Sequence, residues 1–269
     1  MNRGPFGRSM LSEQLALYLA RGTSDLPTLP RSVTDALRLA RSPQLDLDEL
    51  SRVAASDPPL AARVISVANA AAYARAGMPR MASVRHAAVR LGTQATRDVL
   101  YQVAYASMFV DAPRYRDLIE ATFQHGGRVA RLARNLAGER GLDVDVAFLA
   151  GLLHDIGRAR CWKLLAQLRV NVTVAEAAPV VDELHAGAGA ELAAAWHLPF
   201  EVVEACRSHH EPFARDHALV VAVADTVAHL EETRCTVEDA RARLLAAGLL
   251  PEAVSAAIAQ ASGPDAAER

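Results

Sequence analysis

The chain has 269 residues, of which 51% are hydrophobic, and its formal net charge is −2. This length is enough to bury a full core as one large domain or as two closely packed subdomains. The near-neutral charge leaves no general basic surface, so we do not expect nucleic acid as the main partner.

The cysteines and the N-terminus favour a cytoplasmic protein. The 3 cysteines are widely separated and form no Cys-x-x-Cys pair, which argues against a disulfide framework and against a zinc ribbon. Polar residues at 12–14 interrupt the apolar run that a signal peptide would need, and no segment reaches transmembrane length without a charge. We therefore expect residence in the cytoplasm and no membrane partner.

Helical signals dominate the first half of the chain. Alanine is abundant and alternating runs of Val and Ile are absent, which favours an all-α fold. Residues 26–30 contain two prolines and are expected to be extended. Four residues are predicted as helix N-caps: Ser32, Asp46, Asp57 and Ser83. The helix that follows Ser83 is predicted to stop at Gly92.

No cluster of chemical groups appears before about Pro113. His86 stands alone on a helix that also carries two arginines, and we interpret it as a surface or packing residue. Asn69 follows the apolar face of its helix, where we expect it to hydrogen-bond a neighbouring helix end rather than a ligand. Candidate functional residues therefore lie in the second half.

The second half opens with a predicted helix from about Arg116 to Gly138 that carries an inward histidine. His125 shares the apolar face of this helix with Val129 and Leu132. The pair Gly126-Gly127 follows it, and each glycine costs about 1 kcal/mol against alanine inside a helix. We expect a close neighbour to need the space that these glycines leave.

The stretch from Val146 to Gly157 is the most apolar in the chain and predicts a helix buried on all sides. Its last turn carries His154 beside Asp155. A buried ionised carboxylate costs several kcal/mol, roughly, unless a cation or hydrogen-bond donors stabilise it. The candidates opposite Asp155 are an arginine, a cluster of backbone N–H groups or a metal ion.

Further inward polar residues follow. A helix predicted to open at Asp182 carries His185, and His197 is expected to cap its end. A short helix over 200–210 ends in His209 and His210, and the apolar run from Ala218 ends in Asp225. Two modest helices, around 236–247 and 251–261, are predicted on either side of Gly248, and the tail after Ser262 is expected to fray.

Each inward histidine, taken singly, is typical of a satisfied core residue. Together they form a set of imidazoles and carboxylates on buried faces in one half of the chain, and such a set suits a divalent transition metal held between helices. The predicted ligands are His125, His154, Asp155, His185, His209, His210 and Asp225. They would hold one or two ions of iron, manganese, zinc or nickel.

The order of these residues resembles a known family. His125, then His154-Asp155, then Asp225 is similar to the signature of the HD superfamily of metal-dependent phosphohydrolases. His185 with His209-His210 resembles the additional histidines of its two-metal HD-GYP branch. The chain from about Leu26 to His229 resembles the HD-related output domain (HDOD) family. Its marks here are Leu26–Pro30, Asp57–Leu60, Asn69, Leu91-Gly92, Gly151–Gly157, Trp196–Pro199 and His209-His210.

The resemblance implies an all-α fold, with a multi-helix HD-like bundle and an N-terminal helical subdomain packed against it. It divides the chain into an N-terminal helix or extension at 1–25, an HDOD domain at 26–230, and C-terminal helices with a tail at 231–269. Within the HDOD domain, residues 26–113 form the N-terminal helical half and residues 114–230 form the HD-like half.

Three departures from the active phosphodiesterase pattern bear on activity. The lysine expected after the His-Asp-x-Gly turn is Arg158, a hypothetical phosphate contact that does not readily lose its proton. No Gly-Tyr-Pro motif follows His210, and Ala121 stands where a carboxylate would hold a third metal.

The resemblance implies a bacterial signalling module that binds a protein or a small nucleotide and retains a metal-binding site. The alternative is a metal-dependent phosphohydrolase or phosphodiesterase that acts on a nucleotide or cyclic dinucleotide. The missing motif favours the regulatory interpretation. A structural scaffold with an empty histidine cluster is a third interpretation. A homo-oligomer through the C-terminal helices stays open.

Overall fold

A computed structural model describes residues 8–21, 31–42, 44–56, 58–70, 80–107, 109, 112–168, 170–212 and 214–262. Within these residues the regular structure is helical, which confirms the predicted all-α class. A short 3-10 helix spans Pro113–Tyr115. The α-helices are α1 Arg8–Arg21, α2 Arg31–Arg41, α3 Leu47–Ser56, α4 Pro58–Asn69, α5 Val84–Ser107, α6 Arg116–Arg140, α7 Val144–Leu153, α8 Ile156–Leu168, α9 Val174–Ala195, α10 Phe200–Ser208, α11 Asp216–Glu231, α12 Val237–Ala246 and α13 Pro251–Ser262.

The described residues form two compact units that are not simply consecutive in the chain. Helices α2 to α5 make up the first unit, whose boundaries are Pro27 and Asp111. Helix α1 belongs to the second unit, together with the chain from Ala112 onward. The second unit therefore includes the C-terminal helices α12 and α13, and it contains all of the predicted metal ligands.

Two of the predicted helix boundaries in the first unit are confirmed. Asp46 caps α3, because its Oδ1 atom accepts from the backbone N–H groups of Asp48 and Glu49 at 2.8 and 3.0 Å. Helix α5 breaks at Gly92, whose φ of 77° favours glycine. The prediction of an N-cap at Ser32 is wrong, because α2 already begins at Arg31. Residues 26–30 and Asp57 lie outside the described residues.

Asn69 has the structural role that we predicted for it. Its side-chain amide donates to the Met81 carbonyl at 2.9 Å and accepts from the Met81 N–H at 2.7 Å. This pair of hydrogen bonds mimics a backbone pairing and fixes the chain just before α5, at the start of a helix rather than at its end. His86 is exposed on α5, as expected of a surface residue.

Glycines allow helices of the second unit to cross at very short distances. A Cβ on Gly126 would lie 2.6 Å from the Leu152 carbonyl oxygen, and a Cβ on Gly151 would lie 2.8 Å from the Ala130 Cα atom. Helices α6 and α7 therefore pack backbone against backbone, which confirms that a close neighbour needs the space at Gly126. This crossing places His125 beside the end of α7.

Helices α8 and α9 cross even more closely. A Cβ on Gly157 would lie 1.9 Å from the carbonyl oxygen of His185. Helix α9 begins at Val174, behind a capping box between Thr173 and Glu176. The prediction that this helix opens at Asp182 is therefore wrong. The structure accommodates Pro179 inside α9.

Helix α1 is fixed to the second unit by its apolar face and by a buried arginine. Leu11, Leu15 and Leu19 are all buried. The Arg160 guanidinium donates to the Leu19 carbonyl at 3.2 Å and to the Ala188 carbonyl at 2.9 Å. It thereby joins the last turn of α1 to α9, where a cation also complements the helix dipole.

The two predicted C-terminal helices are confirmed as α12 and α13, with Gly248 between them at a φ of 89°. They enclose a small core cluster with α11, formed by Val223, Leu244, Val254 and Ile258. The tail after Ser262 lies outside the described residues. Among the described residues, no helix has the length and apolar character that crossing a membrane requires.

Candidate metal centre

The chain breaks its most apolar helix at the two residues that carry the central ligands. Helix α7 ends at Leu153 and α8 begins at Ile156, so His154 and Asp155 form the turn between two helices. The prediction of one continuous helix from Val146 to Gly157 is therefore wrong. His154 keeps helical backbone angles as the C-cap of α7, and Asp155 follows it before α8 begins, so both side chains reach the same cluster.

The fold brings all of the predicted ligands into one row of neighbouring side chains. His125 comes from α6, His185 from α9 and Asp225 from α11. His209 and His210 follow the last residue of α10, which ends at Ser208 and not at His210 as predicted. Three groups of side chains have ligand atoms within 4.8 Å of one another. They are Asp155 with His185, His209 and His210; His125 with His154 and Asp155; and His125 with Asp225 and His229.

Asp155 lies in the middle of the row. Its Oδ1 atom is 3.2 Å from Nε2 of His185 and 3.6 Å from Nε2 of His209. Its Oδ2 atom is 3.8 Å from Nε2 of His154 and accepts from Nε of Arg158 at 2.8 Å. One oxygen of Asp155 therefore faces imidazoles, while the other is held mainly by an arginine.

Asp225 is the second carboxylate of the row and also meets three imidazoles. Its Oδ1 atom is 2.8 Å from Nε2 of His125 and 3.4 Å from Nε2 of His154. The same oxygen is 3.4 Å from Nδ1 of His229, one helical turn further along α11. His154 thus lies between the two carboxylates.

Backbone carbonyls set the orientation of three of the histidine rings. Nδ1 of His154 bonds to the Gly151 carbonyl at 2.8 Å, and Nδ1 of His185 bonds to the Asp182 carbonyl at 2.7 Å. Nδ1 of His209 bonds to the Ala205 carbonyl at 2.9 Å. A carbonyl can only accept, so Nδ1 of each ring carries a proton and Nε2 points into the row.

Burial and charge set the protonation of the centre. Burial would raise the pKa of Asp155, but the neighbouring His154, His209 and Arg158 hold it well below its usual range. The pKa of Asp225 is likewise held well below its usual range, because its contacts with His125, His154 and His229 outweigh its burial. Burial lowers the pKa of His185 to about 4. The centre therefore presents carboxylates with a neutral His185 ring, which suits a cation.

The chemistry of these atoms fits a metal ion. Several inward-facing polar atoms are buried without a hydrogen-bond partner in the described residues: Nε2 of His154, Oδ1 of Asp155, Nε2 of His209 and Nδ1 of His229. Lone pairs that converge in this way repel one another unless a cation lies among them. Arginine was one of our candidates opposite Asp155, and Arg158 does pair with Oδ2, but Oδ1 still lacks a donor.

Two predicted residues stand differently from what the sequence suggested. His210 is exposed rather than buried, although its Nε2 atom lies 3.2 Å from Nε2 of His185. Arg158 bridges two carboxylates, since it pairs with Asp182 as well as with Asp155. Its hypothetical contact with a phosphate stays a prediction.

Sequence reasoning missed two residues of the cluster, His229 and Glu232. His229 follows Asp225 by four positions, the spacing that puts two side chains on one helix face, and the sequence carries this signal. Glu232 lies just after α11 and faces Nδ1 of His125 at 3.2 Å. No periodicity marks a residue in such a position, so only the tertiary structure reveals it.

Comparison with known proteins identifies the domain family that this chain matches. The HDOD domain matches residues 26–212 of this chain. An uncharacterized protein of Treponema pallidum is 25% identical over 208 residues, which are 73% of this chain and 40% of that protein. Ribonuclease Y of Thermus thermophilus is 35% identical over 106 residues, which are 39% of this chain and 16% of the enzyme. The chain thus spans well under two thirds of the length of these curated relatives.

A solved structure shows the same fold. A protein of Shewanella amazonensis, provisionally described as a phosphohydrolase, superposes with a TM-score of 0.65 at 22% sequence identity. The superposition covers 91% of this chain and 93% of that one. At this level of identity the likeness concerns the fold alone.

Proposed function

This chain belongs to the HDOD domain family, and from that premise we propose that it is a bacterial signal-transduction module whose histidine–carboxylate centre binds one or two divalent metal ions. The observation that carries the proposal is the convergence of buried, unpartnered Nε2 atoms of His154 and His209 on the carboxylates. Among the described residues, neither nitrogen has a hydrogen-bond partner.

The predicted ligands form two sets, one for each ion. His125, His154, Asp155 and Asp225 would hold one ion, and His185, His209 and His210 would hold a second together with Asp155. Nitrogen and oxygen ligands of this kind suit iron, manganese, zinc or nickel. The backbone carbonyls behind His154, His185 and His209 keep each ring aimed at the ion, as outer-shell partners of metal-binding histidines do.

The pairing of Arg158 favours a regulatory role over hydrolysis. A phosphate ester would have to compete with Asp155 and Asp182 for the Arg158 guanidinium, which bridges these two carboxylates. In a signalling module the metal centre instead stabilises the fold that a partner recognises, or forms the binding site for a small ligand. We propose a signalling protein or a small nucleotide as that partner.

Hydrolysis of a phosphodiester is the second candidate, supported by the similarity to Ribonuclease Y and by the retained ligand set. A bound divalent ion would supply an activated water and stabilise charge on the phosphate. His210 and Arg158 lie at the more open side of the centre and would contact such a substrate. The substrate would be a nucleotide or cyclic dinucleotide.

Elemental analysis of the protein purified without chelator tests the metal centre. We expect one or two ions per chain, and we expect Asp155→Ala to lose them with nearly unchanged helix content, because Asp155 belongs to two of the ligand groups. The matched control is His86→Ala, an exposed histidine of the other unit, which should keep the metal. An Asp155→Ala protein that retains its full metal content would refute the assignment.

The same two proteins separate the regulatory role from hydrolysis. Release of nitrophenol from a generic phosphodiester, with Mn²⁺ or Fe²⁺ added, should be absent if the centre is regulatory. Turnover by the unmodified protein that disappears in Asp155→Ala would establish the hydrolase instead. In either case the metal content stays an independent readout.

A further inference from the structure

The C-terminal half of α11 carries polar residues beyond the predicted ligands. His229 lies one turn after Asp225, and its Nδ1 atom is 3.4 Å from Oδ1 of that carboxylate. The His229 ring stacks on His125, with ring centroids 4.6 Å apart and an interplanar angle of 16°. Both rings therefore direct a nitrogen at the same oxygen.

His229 has an unpartnered atom aimed into this group. Its Nδ1 atom is buried and has no hydrogen-bond partner among the described residues, although 18% of its side chain is exposed. The ligand atoms of His125, Asp225 and His229 all lie within 4.8 Å of one another, a spacing that suits one ion. Partial exposure gives such an ion a path from solvent.

Glu232 gives His125 the orientation that a ligand needs. Nδ1 of His125 lies 3.2 and 3.3 Å from the two Glu232 oxygens, whereas the three histidines nearer Asp155 bond to backbone carbonyls. Arg128 and Arg234 pair with Glu232 at 3.0 and 2.8 Å and hold it in place. A carboxylate behind a histidine fixes the tautomer and raises the basicity of the inward nitrogen.

Three candidate ligand atoms meet at this end of the row. Nε2 of His125 lies 2.8 Å from Oδ1 of Asp225, while Nδ1 of the same ring faces Glu232. Nδ1 of His229 approaches the same oxygen from the neighbouring turn. A proton satisfies one nitrogen and one oxygen, whereas a metal ion satisfies all three atoms at once.

We propose that His229 is a metal ligand and that, with His125 and Asp225, it completes a position for a divalent transition-metal ion at the α11 end of the row. Glu232 is the positioning residue for His125. This position is distinct from the one formed by Asp155, His185, His209 and His210. The inference rests on the proposed metal centre and adds to it a fifth side chain beside His125, His154, Asp155 and Asp225.

Titration of the apo-protein with Co²⁺, followed by its visible absorption and by calorimetry, tests the inference. We expect the unmodified protein to bind two ions per chain. His229→Ala and the similarly sized His229→Gln should each weaken one of the two binding events about 10-fold or more and leave the other unchanged. Glu232→Gln should weaken the same event.

His217→Gln is the matched control. His217 lies on the same helix but bonds to the Asp143 carbonyl at 3.2 Å, away from the cluster, so both binding events should persist. Added imidazole should restore the lost event in His229→Ala, because it can occupy the space of the missing ring. That rescue separates a ligand from a residue that only supports the fold.

The outcomes keep the two proposals distinct. If the unmodified protein binds two ions and His229→Gln binds them with the same two affinities, His229 is not a ligand while the metal centre stands. If a folded His229→Gln protein loses both events equally, a separate position at His229 is overturned. If the unmodified protein binds no Co²⁺, the proposed metal centre fails, and the His229 position fails with it.

Discussion

At the scale of single residues, the hydrogen bonds behind each histidine decide what the cluster can bind. Backbone carbonyls hold Nδ1 of His154, His185 and His209, and Glu232 holds that of His125. The free nitrogens therefore face inward before any ion arrives. Such preorganisation reduces the entropy that ordering four side chains would otherwise cost on binding.

Gly157 of α8 packs against the α9 backbone at His185 and Gly189, and this close approach provides a test. We expect Gly157→Ala to lower the free energy of unfolding by about 1–3 kcal/mol or more, because the new Cβ would lie 1.9 Å from the His185 carbonyl oxygen. The displaced α9 should also weaken metal binding at His185. Urea denaturation and Co²⁺ titration measure the two effects.

Gly187→Ala is the matched control for that substitution. Gly187 lies inside α9, and no neighbouring atom lies within 4 Å of the place that a Cβ would occupy, so alanine should stabilise the protein by about 0.5–1 kcal/mol. A Gly157→Ala protein as stable as Gly187→Ala would show that α8 and α9 are not held in close contact.

At the scale of elements, the caps and breaks of the helices position the site. The end of α7 at Leu153 places His154 and Asp155 in the turn before α8. In the first unit, the non-helical backbone of Gly92 breaks α5, and Asp46 caps the start of α3. Such local signals mark a helix end, because side chains there can satisfy the backbone N–H and C=O groups that have no partner inside the helix.

The capping box of α9 is a second test, since α9 carries His185. Thr173→Ala removes the acceptor for the Glu176 N–H and should lower the free energy of unfolding by about 1 kcal/mol. Thermal denaturation measures the change. Thr173→Ser keeps the hydroxyl and should leave stability nearly unchanged; an equal loss in both variants would mean that the cap contributes nothing.

At the scale of the whole molecule, the C-terminal helices support the metal centre from behind α11. Val223 of α11 packs in one cluster with Leu244 of α12 and with Val254 and Ile258 of α13. Helix α11 also carries Asp225 and His229 of the cluster, and Glu232 follows its last residue. These helices therefore act on the site through packing and contribute no ligand of their own among the described residues.

Leu244 is the residue at which this support can be measured. Leu244→Ala should lower the free energy of unfolding by about 2–5 kcal/mol, because the side chain is 1% exposed and leaves a cavity. Leu245→Ala, at a neighbouring residue that is 43% exposed, should change it by less than about 0.5 kcal/mol. If urea denaturation gave the same loss of unfolding free energy for both variants, Leu244 would not be the residue through which α12 packs on α11.

The sequence by itself determined the helical class, the family and the candidate ligands. Helical periodicity and caps are local, so the inward faces of His125 and His185 and the cap of α3 could be read from spacing alone. The resemblance to the HDOD family rested on short motifs such as His154-Asp155, and the match over residues 26–212 confirms it. The seven predicted ligands are neighbours in the fold.

Only the tertiary structure decided the break between α7 and α8, the exposure of His210 and the parts played by His229 and Glu232. An apolar run from Val146 to Gly157 predicts continuous helix, because local propensity carries no information about the α9 backbone that packs on Gly157. Likewise, Glu232 meets His125 across 107 positions of sequence. Contacts between residues so far apart in the chain depend on how the helices cross, which no local pattern encodes.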